Sequence, residues 1–141
     1  MIVFLDVNVI LDFLLGFRSN GIEAAQVMTL VRDERVTVYT AVNTFVMAFY
    51  HLRKAPYAVS AKDTKHTLAV LRQIVKCVPV DEADLDKALV LEKPEDLEDG
   101  FQLMQAIKIN ADVIVTNDRR AFRKAPMRVV STKKFLIEWE L

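Results

Sequence analysis

The chain has 141 residues, 52% of them hydrophobic and 27% charged, with nineteen basic residues balanced by nineteen acidic ones. Those figures describe a single domain over 1–141 whose core holds without staples, and the neutral balance excludes recognition of nucleic acid by the field of the whole molecule. The lone Cys77 excludes an internal disulfide or a zinc-thiolate set, no apolar run approaches the ~20 residues of a bilayer span, and no basic, apolar leader opens the chain, so a cytoplasmic protein away from the membrane is expected.

Ile2 to Leu5 is a short, continuously apolar run, the pattern of a strand buried on both faces. A dense apolar helix is expected from Asn8 to about Leu15, stopped by Gly16, and a second, amphipathic one opens at Asn20-Gly21 with Ile22, Ala25, Val27, Met28, Leu30 and Val31 on its apolar side. Val36 to Tyr39 reads as a strand from its β-branched and aromatic residues. The helix from about Ala41 to Leu52, rich in Phe45, Val46, Met47, Phe49 and Tyr50, is expected to be central, and Ala55-Pro56 breaks it. Lys62 to about Lys76 is amphipathic, and Cys77 to Val80 is expected as an edge strand or strand end because Pro79 cannot donate to a ladder. Cys77 itself reads as a buried structural thiol.

A short helix follows from Asp81 to about Leu91, then a turn at Lys93-Pro94 and a helix from Asp96 to Ile109. Asp112 to Thr116 is the second clear buried strand and ends in the polar turn Thr116-Asn117-Asp118. Arg128 to Val130 is a last short strand, and Ser131 or Thr132 can cap a closing helix with Phe135, Leu136 and Trp139. There is no internal repeat, low-complexity stretch or linker. Alternating strands and helices predict an α/β fold in three layers, α/β/α, with a mainly parallel, short-stranded central sheet.

Ligands of such open sheets bind beyond the carboxyl ends of the strands, near the point where strand order reverses. Two of the best strands run into carboxylates there, Asp6 and Asp118, and Glu95-Asp96-Leu97-Glu98-Asp99 puts four acids at the start of a helix. Taken singly, Asp6 or Asn8 is a helix cap, the acids of the later helix favour the positive end of its dipole, and Asp118 is a turn residue. Gathered at one sheet edge, they repel unless protons or a cation neutralise them. Oxygen ligands without a matching histidine or thiol set select Mg²⁺ or Mn²⁺, and such an ion serves phosphodiester hydrolysis. His51 and His66 have no matching partner and read as surface or core residues.

Phe4-Leu-Asp-Val-Asn-Val-Ile-Leu-Asp12, Asp96-Leu-Glu-Asp99 before a helix, and Ile114-Val-Thr-Asn-Asp118 followed by Phe122 resemble, in order and spacing, the PIN domain and its VapC-like toxin members. That resemblance implies a metal-dependent ribonuclease that forms dimers and is inhibited by a small antitoxin protein. It makes Asp6, Asp99 and Asp118 the metal-binding, catalytic carboxylates, with Asn8, Asp96, Glu98, Thr116 and Asn117 as supporting groups. The chain departs from the pattern at one place: the helix after the second strand lacks the family's usual acid. Met47 stands near its position, and Asn43 is the one nearby polar residue able to ligate weakly.

A phosphate backbone entering an acidic metal site needs positive flanks. Arg119, Arg120, Arg123 and Lys124 after Asp118, and Arg53 and Lys54 at the end of the third helix, are the candidates for RNA, with a solvated charged face as the plain alternative; Arg18 is a further one. A phosphatase with an Asp-x-Asp nucleophile fails at Asn8. A receiver domain lacks its paired first-loop acids, and three glycines leave no phosphate loop for a nucleotide binder. The rival of another class is a PIN-like module that binds RNA or protein without cleaving, and the missing helix acid favours it.

Overall fold

The computed structural model describes residues 1–139. Among them, five strands form one parallel sheet in the order β3-β2-β1-β4-β5, with β1 at Ile2–Leu5, β2 at Thr37–Thr40, β3 at Lys76–Cys77, β4 at Val113–Val115 and β5 at Arg128–Val130. The seven helices of the described residues are α1 (Val7–Leu14), α2 (Gly21–Met28), α3 (Asn43–Arg53), α4 (Ala61–Ile74), α5 (Glu82–Leu89), α6 (Leu97–Lys108) and α7 (Thr132–Trp139). The three-layer α/β/α reading therefore stands.

Alternation along the strands divides the core. Val3, Leu5, Val113 and Val115 face the layer of α1, α2, α3, α4 and α7, where Ile10, Val27, Ala48, Leu71 and Phe135 are buried. Phe4 and Ile114 face the other way, onto Leu103 and Ala106 of α6 and onto Phe122. A side chain buried this fully contributes roughly 1.5–3 kcal/mol, so short strands suffice when both faces are covered.

Several elements differ from the sequence reading. The β3 ladder ends at Cys77, ahead of Pro79, although the Val78 amide still donates to the Thr40 carbonyl at 3.3 Å. The segment after Gly21 is helical only to Met28 and then tightens into a 3-10 turn over Thr29–Arg32; Ile22, expected on the apolar side, is exposed. The third helix is not central. Thr44, Ala48 and Leu52 are buried, but Val46 and Tyr50 face outward, because α3 packs mainly against α1 and α4 and leaves its other side open. The closing helix is capped by Ser131, whose hydroxyl accepts from the Lys134 amide, and not by Thr132. Cys77 is half-buried, and burial pushes its thiol pKa up, as suits a structural thiol.

The strand order fixes the place of interest. From β1 the chain moves outward through β2 and β3, then crosses back to lay β4 and β5 on the other side. The reversal lies between β1 and β4. Asp6 follows the first of these strands and Asp118 the second, and the Asp6 amide bonds the Val115 carbonyl at 3.1 Å.

Candidate active site

Asp6 stands in the N-cap position of α1 but does not cap it with its side chain. Its carboxylate is turned to the sheet edge and is only 2% exposed. Thr116 donates its hydroxyl to Asp6 Oδ2 at 2.7 Å and accepts from the Asp118 amide at 3.0 Å, so one threonine sets both acids. Asp6 Oδ1 has no hydrogen-bond partner among the described residues. Burial pushes the Asp6 pKa up, while Thr116, Gln102 and the amides of Asn8 and Val7 pull it the other way.

The second contributor is the start of α6. Asp96 caps this helix, accepting from the Asp99 amide at 3.0 Å, which keeps its own carboxylate exposed at the rim. Asp99 has its pKa pushed up to about 6 by partial burial and by the charges of Asp96, Asp6 and Asp118. Glu98 is raised as well, by burial and then by Asp99, Asp96 and Asp6. The charge of Asp6 thus reaches both acids at the start of α6, and that of Asp118 reaches Asp99. Asp96, Asp99 and Asp118 line an open cleft of about 450 Å³ with Lys93 and Arg120. Asn8 is half-buried in the first turn of α1, next to Asp6.

Two supporting residues went unread in the sequence. Gln102 and Gln105, both fully buried, stand one turn apart on α6. Gln102 Oε1 accepts from the Val7 amide just after β1, and Gln105 Oε1 accepts from the Val42 amide just after β2, each at 3.0 Å. Gln102 Nε2 lies by the Asp6 carboxylate but, like Asp6 Oδ1, has no aligned partner among the described residues. A visible signal was two amides interrupting the apolar stripe of Leu103 and Ala106.

Asn117 is a brace: its Oδ1 accepts from both the amide and the hydroxyl of Thr132 at 3.1 Å, tying the turn after β4 to α7. It also lies against Asp12, a buried acid whose pKa burial raises and Arg18 opposes. Arg18 pairs with this acid, its Nε 2.9 Å from Asp12 Oδ1.

Where the usual helix acid would stand, the polar groups are neutral and engaged. Asn43 Oδ1 accepts from Gln105 Nε2 at 3.2 Å, and its Nδ2 points to Met47 Sδ at 3.7 Å. Of the basic candidates, Arg119, Arg120 and Arg123 line a cleft of about 510 Å³ with Asn117 and Asp118. Arg53 and Lys54 are not brought to it. They end α3, whose 11 residues carry them about 16 Å along the axis from Asn43.

The donor set fits a hard divalent cation. Asp6 Oδ1 is a buried carboxylate oxygen without a hydrogen-bond partner among the described residues, and the acids near it offer further oxygen donors. Among the described residues no three acidic, histidine or cysteine side chains are already drawn in to coordination distance. Asp99 and Asp118 are more accessible than Asp6.

A parallel α/β/α sheet with a carboxylate cluster at its switch point defines a class of protein that gathers acids around a ligand beyond β1 and β4. The family model of the PIN domain matches residues 2–120, and the chain belongs to that family. Its fold is shared with VapBC-1 of nontypeable Haemophilus influenzae (TM-score 0.67, 19% identity, 94% of this chain and 99% of that one). It is shared likewise with VapBC2 of Rickettsia felis, solved bound to a DNA fragment from its promoter (0.67, 15%, 93% and 98%), and with FitAcB of Neisseria gonorrhoeae (0.64, 18%, 99% and 99%). No curated protein matches the chain in sequence. No helix of the described residues is long and apolar enough to cross a membrane.

Proposed function

We propose that this PIN domain is a metal-dependent endoribonuclease, using Asp6, Asp99 and Asp118 with Mg²⁺ or Mn²⁺ to hydrolyse RNA phosphodiesters. The observation that carries the reading is Asp6 Oδ1, a buried carboxylate oxygen left without a partner at the switch point of the sheet. Such an atom is costly unless a proton or a cation satisfies it, and a cation also offsets the neighbouring acids. The ion supplies a Lewis acid for the phosphoryl oxygen and a bound water of lowered pKa.

The chain's own residues supply position. Thr116 holds Asp6 at the sheet edge with Gln102 beside it, while Asp99 and Asp118 line the cleft from two different elements. Asp96 orients the first turn of α6, and Glu98 adds a further negative charge beside it. The family and the shared fold with the VapBC and FitAcB structures are in keeping with a toxin of a toxin–antitoxin pair; the further parts of this proposal are action in the cytoplasm, a homodimer and inhibition by a small antitoxin protein.

A second reading is favoured by the neutral Asn43–Gln105 pair at the place of the usual acid. With one carboxylate fewer, the domain binds RNA without turning it over. Incubation of a mixed RNA pool with Mg²⁺ or Mn²⁺ decides between them. Cleavage by the native chain that is lost in Asp6→Asn and Asp99→Asn is expected; cleavage at full rate in both variants would refute the site. Binding without cleavage under either metal establishes the second reading.

A further inference from the structure

We propose that Lys93, Arg120, Arg123 and Lys124 form a separate pocket for the nucleotide next to the one being cleaved, so that a single RNA strand is gripped on one side of the acidic cleft. This rests on the ribonuclease reading and assigns residues that it does not need. The pocket, about 300 Å³, lies between the loop that precedes α6 and the 3-10 turn Arg119–Phe122 and its continuation. Its walls carry four cations and no acid, and Pro94 and Ala121 give it an apolar floor.

Three observations point to a strand of nucleic acid. First, the cations are available: among the described residues Arg120, Arg123 and Lys124 make no ion pair, and Lys93 makes an exposed one to Glu95 at 3.3 Å, worth little in water. Second, Lys93, Pro94, Arg120 and Ala121 also line the cleft of Asp96, Asp99 and Asp118, so the acidic and basic hollows share their walls. Third, an apolar floor beside a guanidinium suits a base as well as its phosphate, since unstacked bases rest on arginine planes and apolar surface. The net charge of the chain is zero, so this flank is where a polyanion finds attraction next to acids that repel it.

Fluorescence anisotropy of a short labelled single-stranded RNA, with Ca²⁺ in place of Mg²⁺ and over a range of salt, tests the pocket. Arg123→Ala/Lys124→Ala is expected to weaken binding by roughly tenfold and to lower the slope of log K against log salt by about 1.4, for two phosphate contacts on a single strand. Lys93→Ala, from the opposite wall, should lower the slope by about half as much. Mn²⁺ affinity, read by electron paramagnetic resonance, should stay at the native value in the Arg123→Ala/Lys124→Ala variant, whose residues do not line the acidic cleft.

Unchanged RNA affinity and slope in both variants overturn the proposal. So does an equal loss in Lys62→Ala/Lys65→Ala on α4, which would mean a diffuse field, or full competition by adenosine monophosphate at the affinity of the RNA strand, which would mean a mononucleotide site. Native protein that binds no Mn²⁺ while the pocket variants still lose RNA would refute the ribonuclease reading alone.

Discussion

Asp99 is where environment changes an acid most measurably. Its pKa of about 6 against an ordinary 3.8 means that, between these values, the folded chain keeps a proton the unfolded chain releases. Stability is therefore greatest below pH 4 on this account and is lost as pH rises through 6. With a chelator present, Asp99→Asn should melt above the native chain at pH 7 and approach it at pH 4; a gap that stays constant with pH would sink the assignment. Excess Mn²⁺ should remove the native deficit at pH 7, because a cation offsets the repulsion from Asp96, Asp6 and Asp118 that raises the pKa. Asp6 differs in kind: it is 2% exposed and held by its bond from Thr116, whereas Asp99 is partly exposed and lines the cleft.

Among the elements, α6 does the most to assemble the site. Its N-terminal turn presents Asp96, Glu98 and Asp99, and its buried glutamines bind the backbone just after β1 and after β2. Gln102→Leu leaves the Val7 amide unpaired in the interior and should cost about 1–3 kcal/mol in urea unfolding. It should also weaken Mn²⁺ binding, since Gln102 flanks the Asp6 carboxylate. Gln105→Leu strips the Val42 amide and Asn43 and should cost a comparable amount while leaving Mn²⁺ affinity in place. Equal effects of the two on the metal would show that α6 acts only as a prop. In the sheet, Phe4→Ala opens a cavity against Leu103 and Phe122 and should cost about 3–5 kcal/mol by the same measurement.

At the scale of the whole molecule, a metal bound only by the folded chain raises its stability by mass action. Mn²⁺ at a hundred times its dissociation constant should add about 2.7 kcal/mol, seen as a higher melting temperature, and Asp6→Asn should abolish the gain. The sequence by itself determined the layered parallel fold, because two-faced apolar strands such as Ile2–Leu5 and Val113–Val115 can be buried only under helices on both sides. It also marked Asp6, Asp118 and the acids of 95–99, which stand at the ends of strands or the start of a helix, and the resemblance to the PIN domain singled out Asp99 among the last. Only the tertiary structure decided that Gln102 and Gln105 serve those boundaries and that Asn117 ties the turn after β4 to α7. Those facts depend on contacts between residues as many as 95 positions apart, as Val7 and Gln102 are, and no local pattern of spacing or polarity encodes which buried amide meets which backbone group.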